Sequence, residues 1–234
     1  MNFVGRNGKL EDMAKDSDNN NHYPFCMAAP LEQEPETLGE VSQWLAEWKW
    51  NGIRAQLNRC QGKTSIWSRH EEPIGEQFPE LLEASSLLEE GTVLEGEILA
   101  WSEGEVLPLA LLQERLHCHS VSEEALTQLP VAFMVVDILK LQRQDLRQKS
   151  LKERKKSLVQ LLTPGALDAA PSCRGQLHPL LRVSPNLQFS SWEDLAELHT
   201  LSHALNVEGV ILKGIDSHYD SAFGKSGWWI WKND

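Results

Sequence analysis

The chain has 234 residues, 41% of them hydrophobic, which is room for one large domain or two small ones around a substantial core. A formal net charge of -12 argues against broad adhesion to a polyanion, so any nucleic-acid contact must be local. The apolar runs Leu107–Leu112 and Val131–Val136 fall far short of the about 20 residues a bilayer span needs, and no signal-peptide core opens the sequence. Four scattered cysteines without a C-x-x-C pair suggest neither a zinc ribbon nor a disulfide framework, so a cytoplasmic protein with no membrane partner is expected.

Residues 1–22 are polar and close on an asparagine run, a composition that cannot easily offset the entropy of ordering; a disordered tail is expected there, ahead of one domain at 23–234. Pro24, Pro30 and Pro35 mark an extended lead-in. Trp44 to Leu57 and Thr64 to Arg69 read as strands joined by the glycine turn Cys60-Gln61-Gly62-Lys63, which puts Lys49 in a sheet. Phe78, Leu81, Leu82, Ser85 and Leu88 recur at helical spacing before Gly91, and Val93 to Trp101 follows as a strand.

Leu107 to His117 and Ser122 to Leu129 read as short helices, with His117-Cys118-His119 as ordinary loop or helix residues, and Val131 to Ile138 as a buried strand. Ser150-Leu151-Lys152-Glu153 has the capping-box pattern and opens a helix to about Leu162. The dense basic run Arg147 to Lys156 reads as a solvated helix face. Thr163 to Gln176, rich in Pro, Gly and Ala, reads as a loop. A second capping box, Ser190-Ser191-Trp192-Glu193, begins a helix carrying Leu195, Leu198 and Leu205 and ending at Asn206. Strands at Val207 to Lys213 and Trp228 to Lys232 complete an α+β or mixed-sheet architecture.

The stretch Glu47-Trp48-Lys49-Trp50-Asn51-Gly52-Ile53-Arg54 sets a lysine beside a glycine turn and an arginine within an apparent strand. A lysine amine attacks phosphorus only when uncharged, so a site that uses one needs cations or a divalent metal nearby. On these residues alone, solvated strand positions flanked by core tryptophans are an equal reading. Four further clusters place charge in or beside strands: Ser68-Arg69, Leu94-Glu95-Gly96-Glu97-Ile98, Glu208-Gly209-Val210-Ile211-Leu212-Lys213, and Trp228 to Lys232.

In this order the clusters resemble the motifs of the covalent nucleotidyltransferases, a group of DNA ligases, RNA ligases and mRNA capping enzymes whose first motif, K-x-D-G-x-R, stands here as Lys49-Trp50-Asn51-Gly52-Ile53-Arg54. Within it, AEWKWNGIR, WSR, EGEILAW, DIL...DLR..SL.ER and EGVILK...DSHY look like segments of bacterial ATP-dependent DNA ligases, from about Pro24 to Asp234. The resemblance implies an ATP-grasp-like nucleotidyltransferase domain of mixed, mainly antiparallel sheets flanked by helices, without an OB-fold.

It also implies a chemistry. Lys49 would attack the α-phosphorus of ATP to give lysyl-AMP, and the AMP would pass to the 5′-phosphate of nicked double-stranded DNA in repair or recombination. Glu47 would contact adenine and Glu97 the ribose; Arg54 and Arg69 would engage ribose or phosphate oxygens. Glu208 would help hold Mg²⁺ or Mn²⁺. Lys213 and Lys232 would meet the α-phosphate and help keep Lys49 neutral.

The pattern is not complete. Asn51 replaces the aspartate of the first motif, Val136 stands where an aromatic would stack on adenine, Ile230 replaces the first lysine of W-x-K-x-K, and Gly214 replaces a basic residue. With the chain ending two residues after Lys232, the expectation is an adenylation domain alone, with a partner supplying the OB-fold or DNA-binding domain. A catalytically impaired ligase remnant or nucleotide-binding module, and an RNA ligase or capping-type enzyme, stay open as alternatives.

Overall fold

The computed structural model describes residues 22–118, 121–163, 177–220 and 227–233. Two sheets organise them. The first has the order β1-β12-β11-β2-β10, from Ala29–Pro30 (β1), Trp228–Lys232 (β12), Gly209–Gly214 (β11), Trp44–Trp48 (β2) and Asn186–Leu187 (β10). The second has the order β4-β3-β5-β7-β8, from Lys63–Ser68 (β4), Ile53–Cys60 (β3), Thr92–Ser102 (β5), Val131–Leu141 (β7) and Gln144–Asp145 (β8). Glu105–Val106 (β6) adds to β5 and Leu181–Val183 (β9) to β7. Among the described residues only β1 with β12 and β7 with β9 pair parallel, which agrees with the expected mixed, mainly antiparallel class.

The strand expected from Trp44 to Leu57 divides between the two sheets. Ala46 and Trp48 of β2 bury against Val210, Leu212 and the helix Trp192–Thr200 (α5), whereas Ala55 and Leu57 of β3 bury in the core of the second sheet. The apolar phase therefore shifts from even to odd positions between Trp48 and Ala55, which one strand with a two-residue period cannot do. The chain crosses between sheets at Lys49 to Gly52. The glycine-turn hairpin forms as expected: Cys60 pairs with Lys63, and Gln61 and Gly62 both have positive φ, the two-residue turn that matches strand twist.

The outer face of the second sheet carries the largest core. Leu94 and Ile98 of β5 and Phe133 and Val135 of β7 pack there with Leu81, Leu112, Leu158 and Leu162. Those leucines come from three helices, Pro79–Ser85 (α1), Leu109–Leu116 (α2) and Leu151–Leu162 (α4). Glu123–Gln128 (α3) begins at Ser122, whose hydroxyl accepts from Ala125 N–H. The first capping box forms with Ser150 and Glu153. The second lies one residue later than expected, pairing Ser191 with Asp194, because Asp194 also accepts from the Ser190 N–H.

The expected solvated face at Arg147 to Lys156 holds for Lys152, Glu153 and Lys156, which are exposed, and is corrected at two positions. Arg154 and Lys155 point inward and are buried, because they share the helix face of Leu151, Leu158 and Leu162 and each meets a buried carboxylate. Arg154 grips Asp137 through Nε and Nη2, both at 2.9 Å. The expected tail lies outside the described residues except for His22, whose ring lies tilted against Trp67 at 5.1 Å between ring centroids. Residues 164–176 of the expected loop and His119 also lie outside them. No helix among the described residues is long and apolar enough to cross a membrane.

Candidate active site

Strand alternation decides which side chains face the gap between the sheets. On β12, Trp229 and Trp231 pack into the first sheet's core, which leaves Trp228, Ile230 and Lys232 on the opposite face. Gly52, Ile53, Arg54 and Glu97 come from the second sheet, and between the two walls is a cleft of about 540 Å³. Lys49, Arg54, Arg69, Glu97, Glu208 and Lys232 all line it.

Lys49 is fixed on both sides. Its N–H donates to Gly209 O at 2.8 Å and its carbonyl accepts from Glu208 N–H at 2.7 Å, so its backbone continues the β2–β11 ladder by one step. The next residue, Trp50, is buried and donates its indole N–H to Ser184 Oγ at 3.0 Å. The Lys49 ammonium lies 3.4 Å from Glu208 Oε2 and donates to Trp50 O at 3.2 Å.

Two glycines allow this approach. A Cβ at Gly52 would come 2.5 Å from Ile98 O and 2.6 Å from Leu99 Cδ2. Gly209 has φ +130 and would place a Cβ 2.1 Å from Trp231 O. Any other residue at either position would push apart the strands that carry Glu97, Glu208 and Lys232.

Across the cleft, Arg54 and Glu97 are direct cross-strand partners on β3 and β5, as are Gln56 and Glu95. Arg54 donates to Glu95 through Nη2 and lies 3.5 Å from Glu97 Oε1 through Nη1. Burial pushes the Glu97 carboxyl up, offset in part by Arg54 and Lys49. Burial opposes the charge on Arg54, but Glu95 and Glu97 outweigh it and hold the guanidinium firmly protonated. Arg69 is exposed at the rim, and its N–H donates to Arg54 O at 3.0 Å.

Glu47 and Lys213 are not on the cleft. They lie on the same sheet face as Lys49 but deeper, and Glu47 accepts from the ammonium groups of both Lys213 and Lys155. Trp228, which lines the cleft, covers the Lys213 ammonium at 4.6 Å from its ring centroid. Burial would raise the Glu47 carboxyl, but Lys155 and Lys213 hold it below the usual range. Burial lowers Lys155, which Glu47 opposes.

Val136 is buried with Trp48 and Trp50 at a bulge where Gly96 pairs with Val135 and Glu95 with Asp137, so it too is off the cleft. Ile230 does line it. Sequence reasoning passed over Lys155, Glu95, Tyr219 and the lead-in residues Cys26, Met27 and Ala28, the last three of which line the cleft. The helical period of the basic run could have located Lys155. Glu95 stands in the same charged cluster as Glu97 and Tyr219 closes the DSHY segment, but nothing local gives either its role, and nothing local marks Cys26, Met27 or Ala28.

Among the described residues no group of three or more His, Cys, Asp or Glu side chains is arranged to hold a metal. Glu208 and Glu97 nonetheless give the cleft hard carboxylate oxygens beside arginine and lysine. That set fits a Mg²⁺-type ion, which takes one or two carboxylates and completes its shell with water and substrate phosphate.

Comparison with known proteins identifies the family. A "Probable DNA ligase" of Koribacter versatilis (strain Ellin345) is 32% identical over 213 residues, covering 87% of this chain and 37% of the relative. One of Opitutus terrae (strain DSM 11246 / JCM 15787 / PB90-1) is 35% identical over 176 residues, covering 72% of this chain and 17% of the relative. The chain thus spans well under half the length of either. The fold is shared with a mycobacterial DNA ligase D complexed with ATP and MES, at a TM-score of 0.65 and 22% identity over 89% of this chain and 60% of that one. The family described as "ATP dependent DNA ligase domain" matches residues 26–232, nearly the whole of the described fold, and the chain belongs to that family.

Proposed function

We propose that this chain is the adenylation domain of an ATP-dependent DNA ligase and that Lys49 is its nucleophile. The observation that carries the reading is the convergence of Lys49, Arg54, Arg69, Glu97, Glu208 and Lys232 on one cleft. In the reaction, the bond from Lys49 Nζ to the α-phosphorus of ATP forms as the bond to the pyrophosphate oxygen breaks, and pyrophosphate leaves. Mg²⁺ or Mn²⁺, when bound, supplies charge neutralisation at the phosphates.

Glu208 is the residue to hold that metal. Were its carboxylate committed there, Lys49 would lose its ion-pair partner at 3.4 Å, and the ammonium would give its proton to water before the neutral amine attacks. Arg54 and Glu97 bind and orient the ribose, and Arg69 and Lys232 at the rim neutralise phosphate oxygens. Glu47 and Lys213 act from beneath the floor: adenine reaches Glu47 only by displacing Lys155 or Lys213 from it.

Nicked double-stranded DNA is the acceptor we propose for the AMP. A domain of net charge -12 has little general attraction for DNA, so a partner bringing an OB-fold or DNA-binding domain would supply the grip. The test is incubation with α-labelled ATP and Mg²⁺. Covalent label that survives denaturation and alkali but not acid, as a phosphoramidate does, present on the wild type and absent from Lys49→Ala, supports the reading; nucleotide binding without label supports a non-transferring nucleotide module. GTP outcompeting ATP, or nicked RNA outcompeting nicked DNA, moves the assignment to a capping-type enzyme or RNA ligase.

A further inference from the structure

Glu95 is completely buried and stands one strand position pair inward from the cleft, yet its two oxygens are spoken for in an ordered way. Oε1 accepts from Arg54 Nη2. Oε2 accepts from Gln56 Nε2 at 2.9 Å and from the phenol of Tyr219. Tyr219 is itself buried, off the cleft, and lies in the segment after β11, 124 residues from Glu95.

The Tyr219 hydroxyl has one proton and two acceptors within reach, Glu95 and Pro24 O at 3.2 Å. The carboxylate wins that proton, because a charged acceptor makes the stronger bond. The lone pairs of the oxygen then receive the Cys26 N–H at 2.9 Å. The lead-in segment is further tied to this network by Tyr23 N–H, which donates to Gln56 Oε1 at 2.7 Å. Burial and the Glu95 charge both push the phenol up, so it stays a donor at any pH the protein meets.

We propose that Tyr219 is a positioning residue for nucleotide binding: through Glu95 it sets the angle of Arg54, and through Cys26 it holds the lead-in segment as a wall of the same cleft. The inference deepens the functional reading above and rests on it. Arg54 is held by a carboxylate that would otherwise be a buried charge short of a donor, and without the phenol Glu95 must draw on Arg54 or Gln56 instead. Either shift turns the guanidinium away from the ribose side of the cleft. The effect falls on how a nucleotide is bound and which sugar is accepted. The attacking amine is on the other sheet and is left in place.

The experiment measures Lys49 labelling rates against concentration for ATP and 2′-deoxy-ATP, in wild type, Tyr219→Phe and Glu95→Gln, with thermal unfolding in parallel. We expect Tyr219→Phe to raise KM for ATP about tenfold, to change kcat by less than about twofold, and to narrow the preference for ATP over the deoxynucleotide about fivefold. Glu95→Gln should reproduce the change, and the double variant should be no worse than the more affected single one, since both act on one link. Should Tyr219→Phe fail to fold, Glu95→Gln carries the same comparison. A fall in kcat that tracks the folded fraction, with KM and sugar preference unmoved, overturns the proposal. A wild-type chain that takes no label overturns the reading of the cleft itself, whereas a wild type that labels beside an unaffected Tyr219→Phe overturns only the Tyr219 link.

Discussion

Lys155, on helix α4, donates its ammonium to the carboxylate of Glu47, on a strand of the other sheet 108 positions earlier in the chain. Both are buried, and Lys213 takes the second carboxylate oxygen, so one anion answers two cations. Such a cluster holds together only as long as each charge keeps a partner.

Replacing Lys155 with methionine removes a positive charge but leaves Lys213 on Glu47, so the loss should be smaller than that of an orphaned carboxylate. We expect Lys155→Met to cost about 2 kcal/mol, and Glu47→Gln, which strands two buried ammonium groups, to cost about 4 kcal/mol. Urea unfolding midpoints measure both. A Glu47→Gln protein as stable as wild type would show that the cluster is not charged as drawn.

The same carboxylate predicts a pH effect. Its folded pKa lies below the usual value, so under acid the unfolded chain takes up a proton that the folded one refuses. The stabilisation from Glu47 is complete above the unfolded pKa of about 4.3 and is lost as pH falls through the folded pKa. The gap in stability between wild type and Glu47→Gln should therefore narrow steadily below about pH 4.3. A gap that stays constant from pH 6 to about pH 3 contradicts the assignment.

Gly52→Ala sets a methyl group 2.5 Å from the Ile98 carbonyl, a backbone atom that cannot swing aside. We expect a loss of about 1–3 kcal/mol in stability from the overpacking. Labelling of Lys49 should fall by about 100-fold, because a displacement near 1 Å is enough to misalign an in-line attack. Labelling close to the wild-type rate would mean that the crossover does not set the aim of the amine.

Ile230 faces the cleft between Trp228 and Lys232. Placing lysine there adds a cation on the phosphate side at a position already partly open to solvent, so Ile230→Lys should fold and should raise the rate of Lys49 labelling about threefold to tenfold. A rate unchanged or lowered, in single-turnover measurements at saturating ATP, would show that phosphate neutralisation is not what limits the wild type.

Much of this architecture was legible in the sequence because local signals and global contacts agreed. Ser150 and Glu153 cap a helix, Gln61 and Gly62 turn a hairpin, and the glycine-flanked charged motifs locate the strands around the cleft. The division of Trp44 to Leu57 was missed although the change of apolar phase records it, since each half alternates correctly by itself. Glu47 and Lys213 stand within the motifs that carry the resemblance, yet their depth depends on Lys155 arriving from α4, a long-range event that no local spacing encodes. Tyr219 and Glu95 meet only once the strands are assembled.

The crossover from Lys49 to Gly52 has a mechanical consequence. The backbone of Lys49 is hydrogen-bonded into one sheet and Arg54, five residues on, into the other, so a short covalent tether spans the two jaws of the cleft. At that end the jaws cannot part by more than a few residues of slack, and gaping to admit a nucleotide must pivot about it. The Lys49 side chain thus starts near the fulcrum, where a swing of the far rim displaces it least.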